Sequence, residues 1–118
     1  IESIRSKNLE VGIAVNPYTK IEEFEFLLEK VDTVLFMSVE PGFYGSPFIT
    51  GVLEKIKEFK KLYPNKTIGI DGGIKLDNFK EVKNIGVDYI CIGSAILKAK
   101  NPKEAYFKFL NLINEQNF

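Results

Sequence analysis

Asp71 closes the apolar run Thr67-Ile68-Gly69-Ile70 and is followed by Gly72 and Gly73. A carboxylate at a strand end can hold a metal ion and carry a proton. Beside two glycines it can equally be a turn former or a helix cap, and spacing alone leaves these readings level. Polar or glycine-rich segments close the other apolar runs too: Asn16-Pro17-Tyr18-Thr19, Glu40-Pro41-Gly42-Phe43-Tyr44-Gly45-Ser46 and Gly93-Ser94. In α/β folds ligands bind where such strand-end loops and helix N-termini converge. Backbone N–H groups there bind phosphate, and the missing glycine Cβ lets the chain approach its oxygens. One glycine pair by itself reads as a tight turn; three such segments in register favour phosphate.

Other residues at these ends carry weaker signals. Met37 is either ordinary core or an apolar floor beneath a substrate. Phe43 and Tyr44 either cover a pocket or cap its rim. Glu40, ahead of Pro41, reads as a solvated or structural carboxylate, and Cys91, among apolar neighbours, as inert core. The chain has no histidine. No Ser-His-Asp or Cys-His site can therefore be built from it alone, nor a histidine-rich metal site.

The elements that must position these residues alternate along the chain. Val11-Gly12-Ile13-Ala14-Val15 is a short strand stopped by Asn16-Pro17. Ile21, Phe24, Leu27, Leu28 and Val31 then fall at helical spacing, with Glu22, Glu23, Glu25 and Glu29 opposite. Thr33-Val34-Leu35-Phe36-Met37-Ser38-Val39 is the second strand, followed by a helix marked by Leu53, Ile56, Phe59 and Tyr63. After the third strand comes a short helix with Asp77 as N-cap, Phe79 and Val82 inward and Gly86 at its end. Residues 87–92 form a fourth strand. Asn101-Pro102 opens the last helix, which turns Ala105, Phe109, Leu112 and Ile113 inward. The strands are continuously rather than alternately apolar, which predicts a parallel α/β sheet buried on both faces.

Composition narrows the function classes. The 118 residues are 45% hydrophobic and 27% charged, with formal net charge +0 and no basic block. These values suit one ordinary globular domain and favour neither nucleic acid nor an anionic membrane as partner. No apolar run approaches the roughly 20 residues needed to cross a bilayer. The single cysteine forms no intrachain disulfide, so a cytoplasmic location is expected. The first residues, Ile1-Glu2-Ser3-Ile4-Arg5, have no signal-peptide pattern and read like the tail of a helix.

Taken in order, the motifs resemble those of the ribulose-phosphate 3-epimerase family. Gly12-Ile13-Ala14-Val15-Asn16-Pro17-Tyr18-Thr19 is similar to the family's fifth strand. Val34-Leu35-Phe36-Met37-Ser38-Val39-Glu40-Pro41-Gly42-Phe43 is similar to its sixth strand and phosphate loop. Ile70-Asp71-Gly72-Gly73-Ile74 resembles the seventh, and Gly86-Val87-Asp88 through Gly93-Ser94-Ala95-Ile96 the eighth. The resemblance implies a parallel (β/α)8 barrel of which residues 1–118 form the C-terminal half, strands five to eight. It implies interconversion of D-ribulose 5-phosphate and D-xylulose 5-phosphate by proton transfer at C3 between two aspartates. Asp71 matches one of these, both proton carrier and ligand of a divalent cation (Zn, Fe, Mn or Co). The partner aspartate and two histidine ligands belong to the half of the family pattern outside this sequence. Gly42, Phe43, Tyr44, Gly45, Gly72, Gly73, Gly93 and Ser94 would hold the substrate and its phosphate, with Met37 under the sugar.

The loop departs from the family's usual Gly-Phe-Gly-Gly-Gln: it is Gly42-Phe43-Tyr44-Gly45-Ser46, followed by Pro47-Phe48. Related allulose-6-phosphate 3-epimerases also vary here, so a hexulose 6-phosphate is the alternative substrate; a non-catalytic phosphate-binding half barrel is the alternative role. A full barrel takes ~250 residues, and a half leaves two strand edges and an inward face open. The chain is therefore expected to need a missing N-terminal half barrel or a second chain, and to be inactive alone. Full-length family members are expected to form homo-oligomers.

Overall fold

The computed structural model describes residues 1–42 and 46–115. A first helical turn, α1 (Glu2–Arg5), precedes strand β1 (Gly12–Val15) and the single turn α2 (Ile21–Phe24), which continues as a 3-10 helix over Glu25–Lys30. Then follow β2 (Thr33–Met37), α3 (Gly51–Leu62), β3 (Thr67–Asp71), α4 (Phe79–Asn84), β4 (Tyr89–Cys91), α5 (Ser94–Leu97) and α6 (Pro102–Asn114). The four strands form one parallel sheet in chain order, β1-β2-β3-β4. Parallel neighbours need a crossover between them, and the intervening helices supply it.

The register places two rows of side chains on one face of the sheet. Ile13, Val34, Ile68 lie in one row and Val15, Phe36, Ile70, Ile90 in the next, all on the face against the helices. Most of these are buried with Phe24, Leu28, Val52, Ile56, Phe59 and Phe79 in one core. Phe36 packs edge-on to Phe24 and Phe59, at centroid distances of 6.3 and 5.3 Å. Phe79 meets Phe109 of α6 at 5.3 Å.

The opposite face is the open inward face expected of a half barrel rather than a second buried side. Gly12, Ala14 and Tyr89 are exposed, and Leu35, Met37, Asp71 and Cys91 only half-buried. No described helix covers this face, so apolar strand composition records a burial that these residues do not complete. Tyr89 folds back over Gly69, its ring occupying the space that a Cβ there would take.

Three local expectations change. The helix expected from Ile21 to Val31 relaxes to 3-10 winding after Phe24, whose φ of −124° leaves the helical range. The tighter winding rises about 2.0 Å per residue and stacks residues three apart; it buries Leu28 and Val31 while leaving Phe26 exposed. Asp77 is exposed and does not cap α4; Asn78 is the N-cap residue. Ile113 is 52% exposed rather than inward; it borders an open depression that Ile90 and Ile92 also line.

Aspartates clip the strands at their starts. Asp32, just before β2, accepts the Val11 N–H at 2.8 Å and returns its own N–H to Val11 O at 2.7 Å. Asp88, before β4, treats Ile68 the same way, with both bonds 2.8 Å. Lysines hold the helix ends: Lys60 donates to Ile85 O and Gly86 O after α4, and Lys83 to Leu112 O and Glu115 O at the end of α6. These ammonium groups satisfy carbonyls that lack an intrahelical partner and sit at the negative end of the helix dipole.

Candidate active site at the strand ends

Asp71 is the last residue of β3 and lies on the open face of the sheet, in register with Met37 on one side and Cys91 on the other. Its backbone is fixed by Ser38, the fully buried residue just beyond β2. The Ser38 N–H donates to Asp71 O at 2.8 Å, and its hydroxyl lies 3.1 Å from Asp71 O and 2.5 Å from Gly72 O. A buried hydroxyl needs such partners, and these hold the chain where it turns out of the sheet.

The turn itself requires glycine. Gly72 has φ +123°, and Gly73 has φ +70°. A Cβ at Gly73 would stand 3.1 Å from the Phe48 backbone and from the Val39 side chain. The Asn78 amide closes the loop, donating to Gly73 O at 2.9 Å and accepting from the Lys75 N–H at 2.8 Å.

Around this turn lies a depression of about 300 Å³ lined by Asp71, Gly72, Gly73, Cys91, Gly93 and Ser94, with Val39, Ser46, Ile74 and Lys75. The structure therefore brings together Asp71 and four of the expected binding residues from two successive strand ends. Met37 adjoins Asp71 in register but does not line the depression. Gly42, exposed with φ +81°, does not line it either. Phe43, Tyr44 and Gly45 lie outside the described residues.

Cys91 is not inert core: it is half-buried and shares the depression with Asp71. Burial, and then the Asp71 charge, push its thiol pKa up, so the protonated thiol is favoured. Ser38 and Lys75 escaped the sequence reading. Ser38 was legible as the one polar residue within an apolar run; Lys75 had no signal beyond following the glycines. The Glu40 carboxylate beside the exposed Tyr18 hydroxyl pushes the phenol pKa up.

Among the described residues no three potential histidine, cysteine, aspartate or glutamate ligands cluster tightly enough to hold a metal ion. Asp71 offers one carboxylate donor, so a cation there would need ligands from outside them. A larger groove of about 780 Å³ runs along the outer helices past Lys20, Glu22, Glu54, Lys57 and Lys61. It contains no strand-end residue, and its charges largely face solvent. No helix among the described residues is long and apolar enough to cross a membrane.

A model of the ribulose-phosphate 3 epimerase family matches residues 1–97. A ribulose-phosphate 3-epimerase of Helicobacter pylori strain J99 is 41% identical over 109 residues, covering 89% of this chain and 50% of the relative. That of Serratia marcescens is 36% identical over 100 residues, covering 81% of this chain and 48% of its own length. The chain thus spans about half the length of these curated relatives. Among solved structures, KGPDC from Streptococcus mutans in complex with D-R5P superposes with a TM-score of 0.71 at 19% identity, over 96% of this chain and 52% of that one. At that identity the likeness speaks for the fold alone: a parallel α/β sheet amounting to about half of a (β/α)8 barrel.

Proposed function

The chain belongs to the ribulose-phosphate 3-epimerase family, and on that premise we propose that it forms the phosphate-holding half of a sugar-phosphate epimerase. In this reading residues 1–118 are the C-terminal half of one barrel, strands five to eight. The observation that carries it is the shared depression: Asp71 faces the same space as the glycine turns after β3 and β4.

The chemistry follows from the substrate. The C3 hydrogen of D-ribulose 5-phosphate lies α to the C2 ketone, so its removal leaves a delocalised enediolate. Return of a proton to the opposite face gives D-xylulose 5-phosphate. Asp71 carries the proton on one face; a carboxylate from outside this chain serves the other. Gly72, Gly73, Gly93 and Ser94 hold the phosphate and so orient C3 toward Asp71. Gly42, Phe43, Tyr44 and Gly45 add the loop after β2, and Met37 the apolar floor. A divalent cation (Zn, Fe, Mn or Co) bound partly by Asp71 would supply positive charge to the developing enediolate oxygens. The family role also implies work on a cytoplasmic sugar phosphate, in a homo-oligomer once the barrel is complete.

Binding tests the grip apart from turnover. Titration of the chain with D-ribulose 5-phosphate, followed by amide NMR, is expected to move Gly72, Gly73, Gly93 and Ser94. Shifts confined to the outer groove at Lys57 and Lys61 would refute the assignment. Ser46 lines the depression where the family pattern has a longer amide, which favours a roomier site as the second reading. Tighter binding of allulose 6-phosphate than of ribulose 5-phosphate would select the hexulose.

A further inference from the structure

Of the residues that line the depression at the strand ends, two are charged: Asp71 and Lys75. Lys75 follows the buried Ile74 and is itself exposed. Asn78 fixes its backbone on both sides. The Lys75 N–H donates to Asn78 Oδ1 at 2.8 Å, and Lys75 O accepts the Asn78 N–H at 3.3 Å. The same Asn78 side chain donates to Gly73 O at 2.9 Å. Residues 73–75 thus form one pinned turn whose geometry does not depend on the lysine's ammonium. Among the described residues no ion pair or hydrogen bond engages that ammonium. Lys60 and Lys83, by contrast, commit theirs to carbonyls at helix ends.

A phosphate monoester carries nearly two negative charges at neutral pH. Glycine N–H groups offer it donors without net charge, and an ionised Asp71 in the same depression repels it. We propose that Lys75 is a phosphate-recognition residue: its ammonium supplies the positive charge that lets a sugar-phosphate dianion sit beside Asp71, and so selects phosphorylated over neutral sugars. This rests on the proposed function for the identity of the sugar, but not for the anion contact. Lysine suits the role as a compact charge on a long, flexible stem. Lys75→Met keeps the stem and removes the charge, whereas Lys75→Arg keeps the charge. Neither change touches the backbone bonds to Asn78, so the turn is expected to persist in both.

NMR titrations with inorganic phosphate and with D-ribulose 5-phosphate test this. They compare the parent chain with Lys75→Met, Lys75→Arg and Lys61→Met, the last an exposed lysine of the outer groove. In the parent the Lys75 ε-methylene and the Gly72 and Gly73 amides should shift together with either ligand. Lys75→Met should weaken both ligands about tenfold, the lower end for a hydrogen bond to a charged group. It should also flatten the fall of affinity with added salt, which a merely structural lysine would leave unchanged. Lys75→Arg should restore most of both effects, and Lys61→Met should alter neither. Parent-like affinity or salt dependence in Lys75→Met would overturn the proposal. So would a loss confined to the sugar phosphate, or an arginine no better than methionine. If the parent binds inorganic phosphate at Gly72 and Gly73 but D-ribulose 5-phosphate no more tightly, the sugar-phosphate reading fails while the Lys75 anion contact stands. If it binds neither, both fall.

Discussion

At the scale of single residues, Asp71 is held by its backbone and, among the described residues, not by partners of its carboxylate, since Ser38 binds Asp71 O and Gly72 O. The side chain therefore stays available at the sheet's open face. Asp71→Asn keeps the shape and removes the proposed proton carrier; fold and phosphate affinity should persist while any C3 exchange is lost, as read by paired binding and deuterium-incorporation measurements. Gly73→Ala should cost ~1–3 kcal/mol, since φ +70° strains any residue with a Cβ; the shift in urea midpoint measures it. Asp71 and its glycines were legible because a polar residue and two glycines interrupt an apolar run. Ser38 and Asn78 were missed because their roles lie in hydrogen bonds to residues far away in sequence or to adjacent turns. Cys91 was misread because neighbouring apolar residues do not tell which face of a strand closes.

At the scale of elements, the hydrophobic spacing located every strand and the main helices, while their bounds and winding depended on packing. Residues 21–31 show the distinction. Ile21, Phe24, Leu28 and Val31 are buried as their spacing requires, but the winding turns 3-10 from Glu25 to Lys30, which the spacing does not reveal. Phe59→Ala should destabilise by ~3–5 kcal/mol by emptying the centre of the aromatic cluster, measurable by chemical denaturation. The strand clips have a pH signature. The Val11 N–H, then Arg5, hold the Asp32 carboxyl below its ordinary pKa of 3.8. Such a group contributes stability fully above the unfolded value, and the contribution is lost as pH falls through the folded one. Acid titration of stability should therefore steepen below about pH 3.8, and Asp32→Asn should flatten that limb.

At the scale of the whole molecule, four β/α units close one face of a sheet and leave the other open, together with the outer edges of β1 and β4. The apolar composition of the strands anticipated a covered interior; the described residues provide the helices for one side. That the chain spans about half of its relatives gives the same division at the level of sequence. Under the proposed function such a site would separate binding from catalysis, with phosphate contacts and one carboxylate on this half and the second carboxylate and further metal ligands elsewhere.

The most direct test measures deuterium incorporation at C3 of D-ribulose 5-phosphate in D2O with added zinc. It compares the chain alone, the chain fused behind the N-terminal half of a ribulose-phosphate 3-epimerase, and the same fusion carrying Asp71→Asn. Exchange is expected from the intact fusion and from neither of the others. Exchange by the chain alone, or undiminished exchange in the Asp71→Asn fusion, would contradict the account.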